Sequence, residues 1–155
     1  MTAAYHHTQK GPWHLLSYVL ACACLVAMWL ERERPVEALV FLGIGLLLTL
    51  VHSSFEYLTV EDEGEQLFVH FGPLPLLRTR IRYDDIREVE KGRTRFLDGW
   101  GVHWVPWHGW VWNIWGYDCV IIRRNRGTLR IGTDDPDGLA GFLKSRIAGG
   151  GEPAS

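Results

Sequence analysis

Charge is scarce at the start of this chain. It carries 16 Lys and Arg and 18 Asp and Glu in 155 residues, yet only Lys10, Glu31, Arg32, Glu33, Arg34 and Glu37 precede Phe55. Cysteine is scarce too. Cys22 and Cys24 stand in a C-x-C spacing and Cys119 lies far away. On a helix that spacing turns the two thiols about 200° apart. No C-x-x-C pair is present, which argues against a disulfide framework or a zinc site. The three cysteines read as small buried apolar residues. The formal net charge of −2 creates no global field to attract nucleic acid. Also missing are G-x-S-x-G, H-E-x-x-H and any phosphate-binding Gly-Lys loop. The chain is accordingly read as non-enzymatic and free of cofactor and metal.

What the first third does contain is apolar. Gly11 to Leu30 bears no formal charge, and Leu15 to Leu30 as a helix is about 24 Å long against a hydrocarbon core of about 30 Å. Trp13 and Trp29 mark its ends, at the level where indoles favour the headgroups. The run closes on Met28-Trp29-Leu30-Glu31, with none of the small residues a signal-peptide cleavage site needs. Ala38 to Val51 is a second apolar run, preceded by Pro35 and Glu37, which suit a helix's first turn. Only Glu31–Pro35 separates the runs, so the second must fold back beside the first, with Gly43 and Gly45 available for close approach. The expectation is a transmembrane hairpin over 13–54, preceded by a tail at 1–12. Lys and Arg counts on the two sides do not orient it.

After Phe55 the apolar period changes from helical to alternating. Strands are expected at Glu56–Glu61, Gln66–Phe71, Leu77–Arg82 and, after a turn at Asp84-Asp85, through to Glu90. Trp100–Val105, Trp110–Trp115, Tyr117–Arg123 and Thr128–Gly132 follow. Asp135-Pro136 starts a helix, with Asp as N-cap and Pro at the first helical position. Leu139, Phe142, Leu143 and Ile147 give that helix one apolar face.

Two stretches, FGPLPLLRTRIRYDDIREVE and GTLRIGTDDPDGLAGFL, carry a family resemblance. Residues 55–148 resemble the bacterial pleckstrin-homology-like domains that follow a two-helix membrane anchor. The resemblance implies an α+β membrane protein: a transmembrane α-hairpin, then an antiparallel β-barrel or sandwich closed by a C-terminal helix, with a flexible tail at 149–155. It further implies a binding or scaffolding module acting by protein or lipid-surface contacts in the plasma (inner) membrane, multi-pass, with both termini and the domain cytoplasmic. The alternative is an accessory subunit of a larger membrane enzyme or transporter, held through the hairpin. The first hairpin loop, Glu61-Asp62-Glu63-Gly64-Glu65, is acidic and repels phosphates, so phosphoinositide recognition of the superfamily type is not expected.

Six of the eight tryptophans fall in Trp100–Trp115, a run broken by Gly101, Pro106, Gly109 and Gly116. Indoles there either fill a small core or face headgroups or a protein partner. Trp104, Trp107, Trp110 and Trp112 are taken as the contact set, with the bilayer and a membrane-protein partner as its counterparts. Trp107 is expected at a turn tip and Trp115 in the core. Arg78, Arg80 and Arg82 line one strand face and join the contact set, since each basic residue near anionic lipid is worth about 1 kcal/mol; a solvated strand face is the plainer reading. His103 and His108 fit no metal spacing. His14 and His52, at one end of the hairpin, permit haem ligation geometrically but nothing else in the sequence builds a haem pocket.

Overall fold

A computed structural model describes residues 4–94 and 101–149. The elements in chain order are β1 (His6–Lys10), α1 (Trp13–Leu30), α2 (Pro35–Ser53), β2 (Tyr57–Asp62), β3 (Gln66–Phe71), β4 (Arg78–Arg82), a 3-10 turn (Tyr83–Asp85), β5 (Ile86–Arg93), β6 (Gly101–Val105), β7 (Gly109–Asn113), β8 (Asp118–Arg124), β9 (Thr128–Gly132) and α3 (Pro136–Gly149). The sequence calls at Trp100 and at residues 150–155 lie outside the described residues, as do the side chains of Trp13 and His14.

α1 and α2 pack side by side as a hairpin. Pro35 opens α2, with Glu37 in its first turn. A Cβ on Gly45 would stand 3.2 Å from Cys24 Cβ, so this glycine sets the closest approach, whereas Gly43 has nothing within 4 Å. α2 is long and apolar enough to cross a membrane, and only 11% of its apolar window is buried, unlike the core helix of a soluble domain. The apolar part of α1, Leu15–Leu30, falls short of that length. Of the two spans expected, length and composition by themselves qualify one.

Residues 6–10 are not a tail. β1 pairs antiparallel with β2, from His6 opposite Glu61 to Lys10 opposite Tyr57. The Thr8 and Thr59 hydroxyls meet at 2.9 Å, and the Gln9 amide donates to the Trp115 carbonyl at 2.9 Å. HHTQK has no apolar alternation to announce a strand; it is an edge held by polar contacts.

The β domain is two sheets, ordered β1-β2-β3-β4 and β5-β8-β9-β7-β6. Among the described residues they do not close into a barrel, and the strands are not all antiparallel as expected. β7 runs parallel to β9, with Trp110 opposite Leu129 and Trp112 opposite Ile131. Alternation tells which residues face inward but not which way a strand runs. The 3-10 turn after β4 is where the chain leaves one sheet for the other. Leu67, Val69 and Phe71 of β3, Val120 and Ile122 of β8, and Ile131 of β9 meet between the sheets, and α3 closes the core with Leu139 and Leu143. α3 starts where Asp135 caps it: its Oδ1 accepts from Gly138 N–H at 3.0 Å.

Candidate interface at the hairpin end of the domain

The β domain has two ends. α3 packs on β5 and β8, at one margin of the five-stranded sheet. The opposite margin is β6, whose first residue, Gly101, stands against the Phe55 ring. Gly11 meets Ile114 beside it. On the other sheet, Gly72 (φ 57°) lies so close to Ser53 and Ser54 that a Cβ would come within 2.4 Å of the Ser53 carbonyl. That glycine brings the end of β3, and the segment after it, against the end of α2. The start of β6, the residue after β7 and the start of the β3–β4 segment therefore meet the end of α2, while the β6–β7 turn lies at the other end of its hairpin, where Gly109 packs on the Thr128 carbonyl. An apolar cavity of about 400 Å³ lies at the junction, between Leu48, Val51, Phe55 and Ile114.

The β6–β7 hairpin places the tryptophans. Trp104 and Trp110 oppose each other in register, and Val102 opposes Trp112. Side chains two residues apart share a face, so all four lie on one face, and depth separates them. Trp112 is 7% exposed, with its ring 5.7 Å from Phe71. Its place in the contact set is corrected: it is a core residue, because that part of the face lies under the neighbouring sheet. Trp110 and Trp104, nearer the tip, are 47% and 59% exposed.

Trp107 is at the tip and is 99% exposed. His108 N–H donates to the Val105 carbonyl at 3.1 Å, closing a turn with Pro106 and Trp107 at its centre. Trp107 has φ 69°, the one positive value among the described non-glycine residues. Pro then a left-handed residue is the pattern of a type II turn, where glycine or asparagine is usual. An indole in that conformation costs about 1–2 kcal/mol and recovers no packing on its own chain. Backbone strain of this kind concentrates at functional sites. Trp115, expected in the core, is exposed instead; its backbone carbonyl, not its ring, is what Gln9 holds.

Leu74 and Leu76 were missed by the sequence reading. Both are exposed, and Leu76 lines one groove with Trp110. Gly72-Pro73-Leu74-Pro75 reads as a chain break, yet Leu74 between two prolines and Leu76 just after them were the available signal.

The three β4 arginines differ. Arg80 donates to Glu63 at 2.9 Å and lies 4.2 Å over the Phe68 ring. Arg82 donates to Asp84 at 2.6 Å. The hydrogen bond from Arg80 holds the Glu63 carboxyl below its ordinary range, and Arg82 does the same to Asp84. Both are solvated strand-face pairs. Arg78, at the β4 end nearest the helices, is exposed and has no carboxylate partner among the described residues.

The α3 end is built differently. The Asp62 side chain, 2% exposed, faces Arg146 and accepts from Tyr83 Oη at 2.7 Å and Gly64 N–H at 2.9 Å. Burial by itself raises its pKa, but these three donors outweigh that and hold the carboxyl below its ordinary range. Tyr83 and Tyr5 are shifted up, chiefly by burial and then by Asp62 and Asp135 respectively. Tyr5 Oη donates to Asp135 at 3.2 Å, and His7 meets Asp134 at 2.5 Å. Among the described residues no group of three His, Cys, Asp or Glu is placed to hold a metal ion. In comparisons with known proteins, no family model and no curated protein matches this chain.

Proposed function

We propose that this chain is a membrane-anchored, non-enzymatic binding module of pleckstrin-homology-like plan, whose helical hairpin sits in the bilayer and whose β domain rests on the same bilayer through its tryptophan and leucine end. The observation that carries the reading is exposed apolar surface on both parts of the chain. Most of the exposed large apolar side chains belong to the two helices, and those of the domain include Leu74, Leu76, Trp104, Trp107 and Trp110. Exposed apolar surface of this extent marks a membrane or protein contact, and tryptophan favours the headgroup level.

Pairing of β1 with β2 supports a double crossing. Lys10 opposite Tyr57 ties the start of α1 to the end of α2, so both lie on one side of any membrane. If α2 crosses, the four-residue turn before it lies on the far side, and α1 must cross as well. A helix slightly shorter than the hydrocarbon core is accommodated by local thinning at a modest cost. The cytoplasmic placement of the domain rests on the family resemblance.

The test uses the full chain in lipid vesicles, labelled one site at a time with an environment-sensitive dye at position 107, 76 or 144, and lipid-borne nitroxide as quencher. Quenching at 107 and 76 but not at 144, on exposed α3, is expected. Equal lack of quenching at all three sites would remove the lipid contact and leave the tryptophans to a protein partner. Release of the chain by alkaline carbonate would remove the anchor itself.

A further inference from the structure

We infer that the groove between the β3–β4 segment and the β6–β7 hairpin seats an anionic phospholipid, its phosphate held by Arg78 and Arg124 and its upper acyl chains laid along Val102 and Trp110. The inference rests on the membrane reading above and assigns a ligand class to the same surface.

The groove holds about 340 Å³, at the small end of the range for ligand sites and enough for a headgroup with its first methylenes. Val102, Trp112 and Leu129 give it apolar lining, Leu76 and Trp110 extend that lining outward, and the guanidinium-bearing Arg78 and Arg124 border it. Apolar lining combined with paired cations suits an amphiphile better than a free inorganic anion, which has nothing to bury.

The arginines make the case specific. Several others on the domain meet carboxylates, Arg80 with Glu63, Arg82 with Asp84, Arg93 with Asp118, Arg123 with Glu88 and Glu90, and Arg146 with Asp62, while Arg87 donates to the Asn125 amide oxygen. Among the described residues Arg78 and Arg124 have no such partner, and Arg124 Nε is buried without a hydrogen bond. A guanidinium offers a planar fork of donors that fits phosphate oxygens two at a time. A zwitterionic headgroup brings its own cation and gains less from two arginines than an anionic one does. This site is separate from the acidic β2–β3 turn, so it requires no inositol recognition.

The experiment reconstitutes the full chain in phosphatidylcholine nanodiscs and measures, by electron spin resonance, immobilisation of trace spin-labelled phosphatidylglycerol against spin-labelled phosphatidylcholine. Phosphatidylglycerol should be preferred. Arg78→Gln and Arg124→Gln should each lower that preference about five-fold, the figure expected for one basic residue at an anionic surface, with unchanged thermal melts. Equal immobilisation of the two lipids, or an undiminished preference in the double variant, overturns the site. Inorganic phosphate should lower the preference more than chloride of equal ionic strength does, because it competes for the same guanidiniums, and no difference between the two salts overturns phosphate as the group they hold. A chain that fails to enter nanodiscs overturns the membrane reading first, and this one with it.

Discussion

The two ends of the β domain treat charge and apolar surface in opposite ways. At the α3 end, buried Asp62 is matched by Tyr83, Gly64 and Arg146, and Leu139 and Leu143 are fully covered. Along the β6–β7 hairpin and the β3–β4 segment, indoles and leucines stand exposed, Trp107 holds a positive φ, and Arg78 and Arg124 meet no acid among the described residues. A surface selected only to keep a soluble domain folded has no use for the second pattern. On the proposed function, the contrast separates residues that maintain the fold from those that contact the bilayer, and it does so inside a single run of tryptophans.

The sharpest way to break the contrast is to truncate two indoles of one hairpin. Trp112→Ala should destabilise the protein by about 3–5 kcal/mol, the range for a buried aromatic, while Trp107→Ala should change stability little. Denaturant unfolding in mild detergent measures both. Equal losses would mean that the tip is packed after all. Trp115, expected in the core, is too exposed to serve as the buried partner of this comparison.

Next in size is Asp62→Asn, expected to cost about 3 kcal/mol because it leaves Arg146 without its buried partner. The linkage has a definite sign. Asp62 has its carboxyl held below the ordinary range in the fold, so its contribution is complete above the unfolded carboxylate range and is lost as pH falls through the lowered value. Melts taken from neutral into acid should fall more steeply for the parent chain than for Asp62→Asn. At the other end, Arg78→Gln should stay within about 0.5 kcal/mol of the parent, as exposed substitutions do.

A third comparison concerns the anchor. Deleting residues 1–54 removes β1 with the helices, whereas joining Gly11 to Glu56 by a short flexible linker removes the helices alone. The two junction residues already lie close, with Gly11 N–H donating to the Glu56 carbonyl at 3.5 Å. The linked form should be the more stable by about 2 kcal/mol or more, since Tyr5–Asp135 and His7–Asp134 each contribute roughly 1 kcal/mol. Equal stabilities would demote β1 to an ornament.

The smallest effect is a gain. Trp107→Gly should stabilise the chain by about 1 kcal/mol, because glycine takes a positive φ without steric cost, while weakening quenching by lipid-borne nitroxide at a dye on position 76. A loss of stability would show that the indole packs somewhere.

Much of this was readable from residues. Thr128–Gly132 alternates, and Gln66–Phe71 sets Leu67, Val69 and Phe71 on one face; both form strands at those bounds. Asp135-Pro136 names its helix start because capping is a local matter. Trp107 reads as a turn tip because Pro106 and Gly109 flank it. β1 was not readable, since His6–Lys10 become a strand only when β2 offers an edge. Nor was the division among the tryptophans: Trp110 and Trp112 are equally apolar and share a face, and only the overlap of the second sheet buries one and leaves the other open.

By itself, then, the sequence determined the apolar hairpin, the switch to alternating strands and the closing helix, because periodicity and caps act over a few residues. The tertiary structure alone decided which sheet each strand joined, that β7 lies parallel to β9, and which arginines found acids. It also decided that Leu76 of one segment and Trp110 of another would line a common groove. Those are relations between parts of the chain far apart in sequence, and no local pattern of side chains encodes the distance between them.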